Sequence, residues 1–143
     1  MKNNRILLII LSIATIIICM ILNFHEFLTG SEATTKNMIV TFSYIAIWII
    51  ILVIGIATKN RATLFYCSMF WCITLFVSIV TVYVNATGNL ADWVIPLAIL
   101  FLGQWYGIGF FVSSFLSSSI IIALISLVMF TITVILLKHF KPS

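Results

Sequence analysis

The sequence has very few charged residues. Lysine and arginine together number 7, aspartate and glutamate number 3, and charged residues make up 7% of the 143-residue chain, whereas roughly a quarter of a soluble domain is charged. This scarcity excludes a water-soluble domain, a disordered chain and a nucleic-acid binder that works through a basic surface. Hydrophobic residues account for 64% of the chain, and the mean hydropathy is +1.32. Length and composition therefore predict one domain that lies in a lipid bilayer.

The long apolar stretches also lack ionisable residues. Proton relays, cation pathways and membrane haem sites depend on carboxylates or histidines at membrane depth. In this chain every charge and both histidines fall between the apolar stretches or at their ends. The cysteines Cys19, Cys67 and Cys72 form no C-x-x-C pair, so we expect them to behave as small apolar residues. We predict no catalytic residue, no metal site and no cofactor.

The charges separate four uncharged stretches, and the last of them is too long for a single helix. A helix needs about 20 apolar residues to cross a bilayer, and residues 93–137 contain a serine-rich break at 113–119. No alternation of apolar and polar residues suggests a barrel. We predict an all-α fold, a polytopic integral membrane helical bundle that forms a single transmembrane domain over residues 1–143. Its five hydrophobic helices are expected at about 6–23, 38–57, 62–84, 93–112 and 120–137.

Basic residues predict the orientation, because lysine and arginine collect at the cytoplasmic ends of membrane helices. Lys2 and Arg5 place the N-terminus in the cytoplasm, and the apolar run after them is interpreted as an uncleaved first helix. We expect a multi-pass protein of a cell membrane, and the many isoleucines suggest a bacterial plasma membrane.

Charge and length disagree about residues 93–112. Four crossings would put Lys138 and Lys141 on the cytoplasmic side with most other basic residues, so charge favours a re-entrant segment. Length favours five crossings, because the segment is long enough to span, and we adopt five as the working interpretation. Glycine and proline within the segment are compatible with a kinked span or with a broken hairpin.

Polar residues at alternating spacings of three and four mark one face on three of the helices. Such a face is typical of helix packing through small residues and hydrogen bonds, and the alternative is the lining of a polar pathway. The candidate residues are Ser12, Thr15 and Asn23 in the first helix, Thr74, Ser78 and Thr81 in the third, and Ser126 and Thr133 in the last.

The fourth segment contains a G-x-x-x-G motif, Gly103 to Gly107, with Gln104 inside it. This motif predicts close packing of helices. A buried amide is costly without partners, so Gln104 predicts an interhelical hydrogen bond or, alternatively, a contact to a bound solute or lipid headgroup.

No internal repeat or family signature is evident, so function rests on what the residues permit. The first hypothesis is a non-catalytic accessory or protective (immunity-type) component of a membrane complex. Its expected partners are the lipid bilayer and other membrane subunits or further copies of itself, with no nucleic acid. The alternative is a small oligomeric permease or channel for a neutral or apolar solute. A lipid-modifying enzyme is the third class, with Asp92, His25 and Glu26 as its only candidate residues.

Overall fold

The computed structural model describes residues 2–89 and 92–140, and all regular secondary structure in these ranges is helical. The all-α prediction is therefore confirmed. Four helices are long and apolar enough to cross a membrane, and the segment Val94–Phe110 is shorter. The elements in chain order are α1 (Lys2–Thr29), α2 (Thr35–Ala57), α3 (Arg61–Thr87), α4 (Val94–Leu102), a 3₁₀ helix η1 (Gly103–Phe110) and α5 (Phe115–His139).

Local residues set the helix ends. Gly30 and Gly88 follow α1 and α3 with φ angles of 63° and 68°, a left-handed conformation that glycine adopts at little cost and that ends a helix. At the start of α2, the backbone N–H of Thr34 donates to Asn37 Oδ1 at 2.8 Å. The first helix thus continues to Thr29, beyond the expected limit at 23, because no glycine occurs before Gly30.

The serine-rich stretch 113–119 is only partly a break. Helix α5 already begins at Phe115, and the hydroxyls of Ser118 and Ser119 donate to carbonyls in the preceding turn at 3.2 and 2.9 Å. Serine tolerates a helix when its hydroxyl bonds back in this way. The last helix is therefore longer than the expected 120–137, and the non-helical connection covers only 111–114.

Aromatic side chains fill the centre of the bundle. The aromatic core consists of Tyr44, Trp48, Phe70, Trp71 and Trp105, all of which are buried. Trp48 stacks on Phe70 with 4.2 Å between ring centroids, and Trp105 meets the rings of Tyr44 and Trp71 edge-on at 5.4 and 6.0 Å. The short helix η1 packs mainly against α1 and α2, and its Trp105 ring extends from it into the aromatic core.

Residues 94–110, here called the hairpin, enter and leave the bundle at the same end. Asp92 before the hairpin and Val112 after it line one cavity together with the 30–33 loop. Between these ends the hairpin reaches the interior, where the Phe101 ring lies 5.8 Å from that of Phe70. The end of the bundle that carries the 30–34 loop is called the cavity end below.

The two ends of the hairpin thus lie at one end of the bundle, the arrangement that a re-entrant segment would have, and Val94–Phe110 is shorter than the four helices that could cross a membrane. The physical reason is that α4 stops at Leu102, and the glycine-rich sequence that follows forms a 3₁₀ helix directed back toward the cavity end. There Gly109 lies beside Ala33 of the 30–34 loop.

Candidate functional site

A network of buried amide and hydroxyl groups holds the hairpin to α1 and α2. Asn23 Nδ2 donates to the carbonyl oxygen of Gly103 at 3.0 Å, and Asn37 Nδ2 donates to Asn23 Oδ1 at 3.0 Å. Thr41 Oγ1 donates to the carbonyl oxygen of Gln104 at 2.7 Å and accepts the backbone N–H of Gly107 at 3.0 Å. Side chains of α1 and α2 are thereby hydrogen-bonded to the backbone of η1.

The network explains why a 3₁₀ helix is stable in the apolar interior. Irregular backbone at membrane depth is tolerated only when protein groups satisfy its carbonyl and N–H groups. Asn23 and Thr41 are both buried and supply those partners to η1. These two side chains therefore position the hairpin.

Gln104 is fully buried and only partly satisfied. Its Nε2 donates to the carbonyl oxygen of Leu100 at 2.6 Å and, more weakly, to that of Ile16 at 3.4 Å. Its Oε1 has no hydrogen-bond partner among the described residues. The side chain thus contacts both α4 and α1, and its Oε1 acceptor is left without a partner in the part of the chain that the structure describes.

The two glycines of the G-x-x-x-G motif are not equivalent. A Cβ placed on Gly107 would collide with the carbonyl group of Asn37 and lie 2.7 Å from Met38 Cα. A Cβ on Gly103 would meet only Met20 Cγ, at 3.8 Å, which is ordinary contact. Close approach of backbones therefore requires glycine at Gly107 and not at Gly103.

The predicted hydroxyl stripe is buried but bonds mainly within single helices. Thr74 Oγ1 donates to the Phe70 carbonyl oxygen at 3.0 Å, and Ser78, Thr81 and Thr133 donate to carbonyls three or four residues earlier. Thr15 does the same in α1. Such back-bonded hydroxyls present little free polarity, so this arrangement supports helix packing more than a polar pathway.

Two members of the stripe behave differently. The Ser12 hydroxyl donates to the Ile9 carbonyl oxygen at 2.8 Å and also pairs with the Tyr66 hydroxyl at 2.7 Å, which ties α1 to α3. Ser126 is buried, and its hydroxyl has no partner in the described ranges.

A cavity of about 970 Å³ opens at the cavity end. Its deeper wall is apolar and buried, formed by Ala98, Leu102 and Trp105 of the hairpin and Ile122 of α5. Pockets of roughly 300–1,000 Å³ are typical sites for small molecules. The hairpin therefore forms one wall of a space large enough for a drug-sized ligand.

The mouth of the cavity is polar. Exposed Glu32 and Asp92 line it, together with Asn85 and Ser113. Neither carboxylate forms a salt bridge within residues 2–89 and 92–140, where Lys36 pairs with Glu26 at an Nζ–Oε1 distance of 2.6 Å. Apolar depth and an acidic mouth give the cavity two chemically different zones.

Sequence reasoning placed Asn23, Gln104, Gly103 and Gly107 among the candidates, but it missed the partners Asn37 and Thr41. A usable signal was present for Asn37. Asn23 ends the first expected helix and Asn37 immediately precedes the second, so both amides are expected at the same end of the bundle, where each could partner the other. The cavity had no comparable signal because its walls come from several distant segments.

Comparison of the chain with protein-family models, curated proteins and solved structures finds no match. Function must therefore be argued from the hairpin and the cavity.

Proposed function

We propose that the protein is a non-catalytic component of a cell membrane, accessory or protective in the manner of an immunity protein, that acts by binding through the cavity. The cavity is the single observation that carries this proposal, because it combines ligand-sized volume with a wall held in place by the amide network. A pre-formed, mainly apolar space with a few polar groups is the usual form of a binding site.

The distribution of charge supports a binding role over chemistry. The three acidic residues of the chain are Glu26, Glu32 and Asp92, and one of them is neutralised by Lys36. Acid–base catalysis needs titratable groups placed within hydrogen-bond reach of a reacting centre. Glu32 and Asp92 are both exposed at the cavity mouth, a placement suited to selecting a ligand by its charge.

The proposed orientation has the N-terminus in the cytoplasm and the cavity open to the outside, in a bacterial plasma membrane. Helix α5 begins at the cavity end and is 25 residues long, so Lys138 lies at the end opposite the cavity. Four crossings thus put six of the seven basic residues on one side, as the positive-inside tendency requires. A reporter that works only in the cytoplasm should be active when it is fused after Ser143. Activity of a reporter that works only outside the cytoplasm would overturn this orientation.

A small oligomeric permease for a neutral or apolar solute is the second candidate. The observation that favours it is the hairpin, because irregular helices that end inside a membrane often border transport sites. Flux of a neutral solute in proteoliposomes that contain only this protein would favour the permease.

The binding proposal is tested by filling the cavity. Ala98→Trp places an indole in the cavity. Leu124→Trp is the control, because it places the same indole at a position on α5 where the leucine side chain is 57% exposed. After purification in mild detergent, a stoichiometric partner or ligand should accompany the wild type and Leu124→Trp and be lost from Ala98→Trp. Retention of that molecule by a folded Ala98→Trp variant would contradict the proposal.

A further inference from the structure

The charges at the cavity end do not balance. By sequence, Lys36 is the only lysine or arginine between Arg5 and Lys59, and the next one after Arg61 is Lys138. Lys36 does not line the cavity, and its ammonium group is held by Glu26. The ion pair leaves the carboxylates of Glu32 and Asp92 as the net charge of this end, and both of them line the cavity.

Aromatic side chains form part of the cavity lining. Phe27, Trp105, Tyr106 and Phe115 all line the cavity, and the faces of such rings attract cations. No lysine or arginine lines the cavity in the described part of the chain. The charged side chains and the aromatic rings of the lining therefore favour a positive ligand.

We propose that the cavity binds a drug-sized amphiphile that carries a positive charge. Its apolar body occupies the depth beside Ala98, Leu102 and Ile122, and its cationic group lies at the mouth near Glu32 and Asp92. This inference rests on the proposed function and names the ligand class for the same site. A volume of about 970 Å³ suits a molecule of this size better than a folded polypeptide partner.

The test uses two probes of the same shape and opposite charge, tetraphenylphosphonium and tetraphenylborate. Each is titrated against the full-length protein in nanodiscs of zwitterionic lipid, and binding to empty nanodiscs is subtracted. We expect the phosphonium to bind about ten-fold more tightly than the borate, and the difference to shrink as salt is added, because exposed charges are screened.

Variants test whether the two carboxylates at the mouth cause the preference for the phosphonium. Glu32→Gln and Asp92→Asn should each weaken binding of the phosphonium about three-fold, and the double variant about ten-fold, as expected for charges that are partly exposed to water. Lys138→Gln changes the net charge by one unit at the opposite end and serves as the control. It should leave binding unchanged.

The remaining outcomes separate this inference from the proposed function. If both probes bind equally and Ala98→Trp abolishes both, the cavity is a binding site without charge preference and the inference is overturned alone. Binding that Ala98→Trp does not affect overturns both proposals. Tighter binding of the borate, no binding of the phosphonium, or full binding by the Glu32→Gln/Asp92→Asn double variant also overturns the inference.

Discussion

Buried polar side chains serve different purposes at the hairpin and at the seam between α3 and α5. At the hairpin, Asn23 and Thr41 donate to carbonyl groups of another element, η1. At the seam, Thr74 and Thr133 are as deeply buried but donate to carbonyls of their own helices. Regular helices already satisfy their backbone, so hydroxyls there add little, whereas the irregular η1 depends on donors from its neighbours.

Glycines within the hairpin also differ from one another. The hairpin approaches the start of α2 so closely that Gly107 has no room for a Cβ. A Cβ on Gly103, four residues earlier, would make only an ordinary van der Waals contact. The G-x-x-x-G motif thus contains one position at which the packing requires glycine and one at which it does not. Alanine substitutions at these two glycines should therefore have very different effects on stability.

The largest effect is expected at Gly107. Gly107→Ala would force the Cβ into the backbone of Asn37 and Met38, which cannot move as a flexible side chain does, and we expect a loss of about 3 kcal/mol in the free energy of unfolding. Gly103→Ala is the matched control and should change stability by less than about 0.5 kcal/mol. Thermal and denaturant unfolding in detergent measure both. Equal losses for the two variants would mean that the hairpin does not approach α2 as described.

An intermediate effect is expected at Asn23. Asn23→Leu removes the donor to the Gly103 carbonyl oxygen and the acceptor of the Asn37 amide, and leaving these buried groups unpaired should cost about 2 kcal/mol. Asn85→Leu removes an amide that bonds only within α3, at 2.8 Å to Thr81.

The free energy of unfolding of the Asn85→Leu variant should lie within about 0.5 kcal/mol of the wild-type value. Hydrogen exchange adds a local measurement, since loss of Asn23 should speed exchange in residues 103–107 before it affects α5. Uniform acceleration across all helices would argue against a role confined to the hairpin.

The smallest difference is expected for a pair of threonines. Thr41→Val removes two bonds to η1 and should cost about 1 kcal/mol, a value typical of interhelical hydrogen bonds in membranes. Thr74→Val removes only a bond to its own helix and should be nearly neutral. Both side chains are buried and valine keeps their shape. If the two variants cost the same, the proposed difference between hairpin and seam is wrong.

Much of the fold could be predicted from hydropathy and charge, because long apolar runs have few alternatives to helices in a bilayer. The four long helices and their connections follow from the positions of residues such as Glu32, Lys59 and Arg61. The hairpin could not be decided in the same way. Pro96 and the glycines permit either a kinked span or a hairpin, and only the contacts with α1 and α2 distinguish the two.

The site was predictable only in part. Asn23 and Gln104 stand out because amides are costly in an apolar interior, and both belong to the network or touch it. The packing requires glycine at Gly107 but not at Gly103, and this difference depends on which part of the chain lies opposite each of them. The cavity depends on how five elements diverge at one end, and no short sequence pattern encodes that shape.

The aromatic core gives the protein an intrinsic optical probe. Trp105 moves with the hairpin, while Tyr44 and Trp71, which its ring touches, belong to two different long helices. Any displacement of the hairpin, by a ligand or by a partner, would change the surroundings of the Trp105 indole and with them its fluorescence emission and quenching. Trp93 is 60% exposed just before the hairpin and would report on the bilayer surface instead. Replacing Trp93 with phenylalanine would leave an emission signal from indoles that lie in the bundle interior.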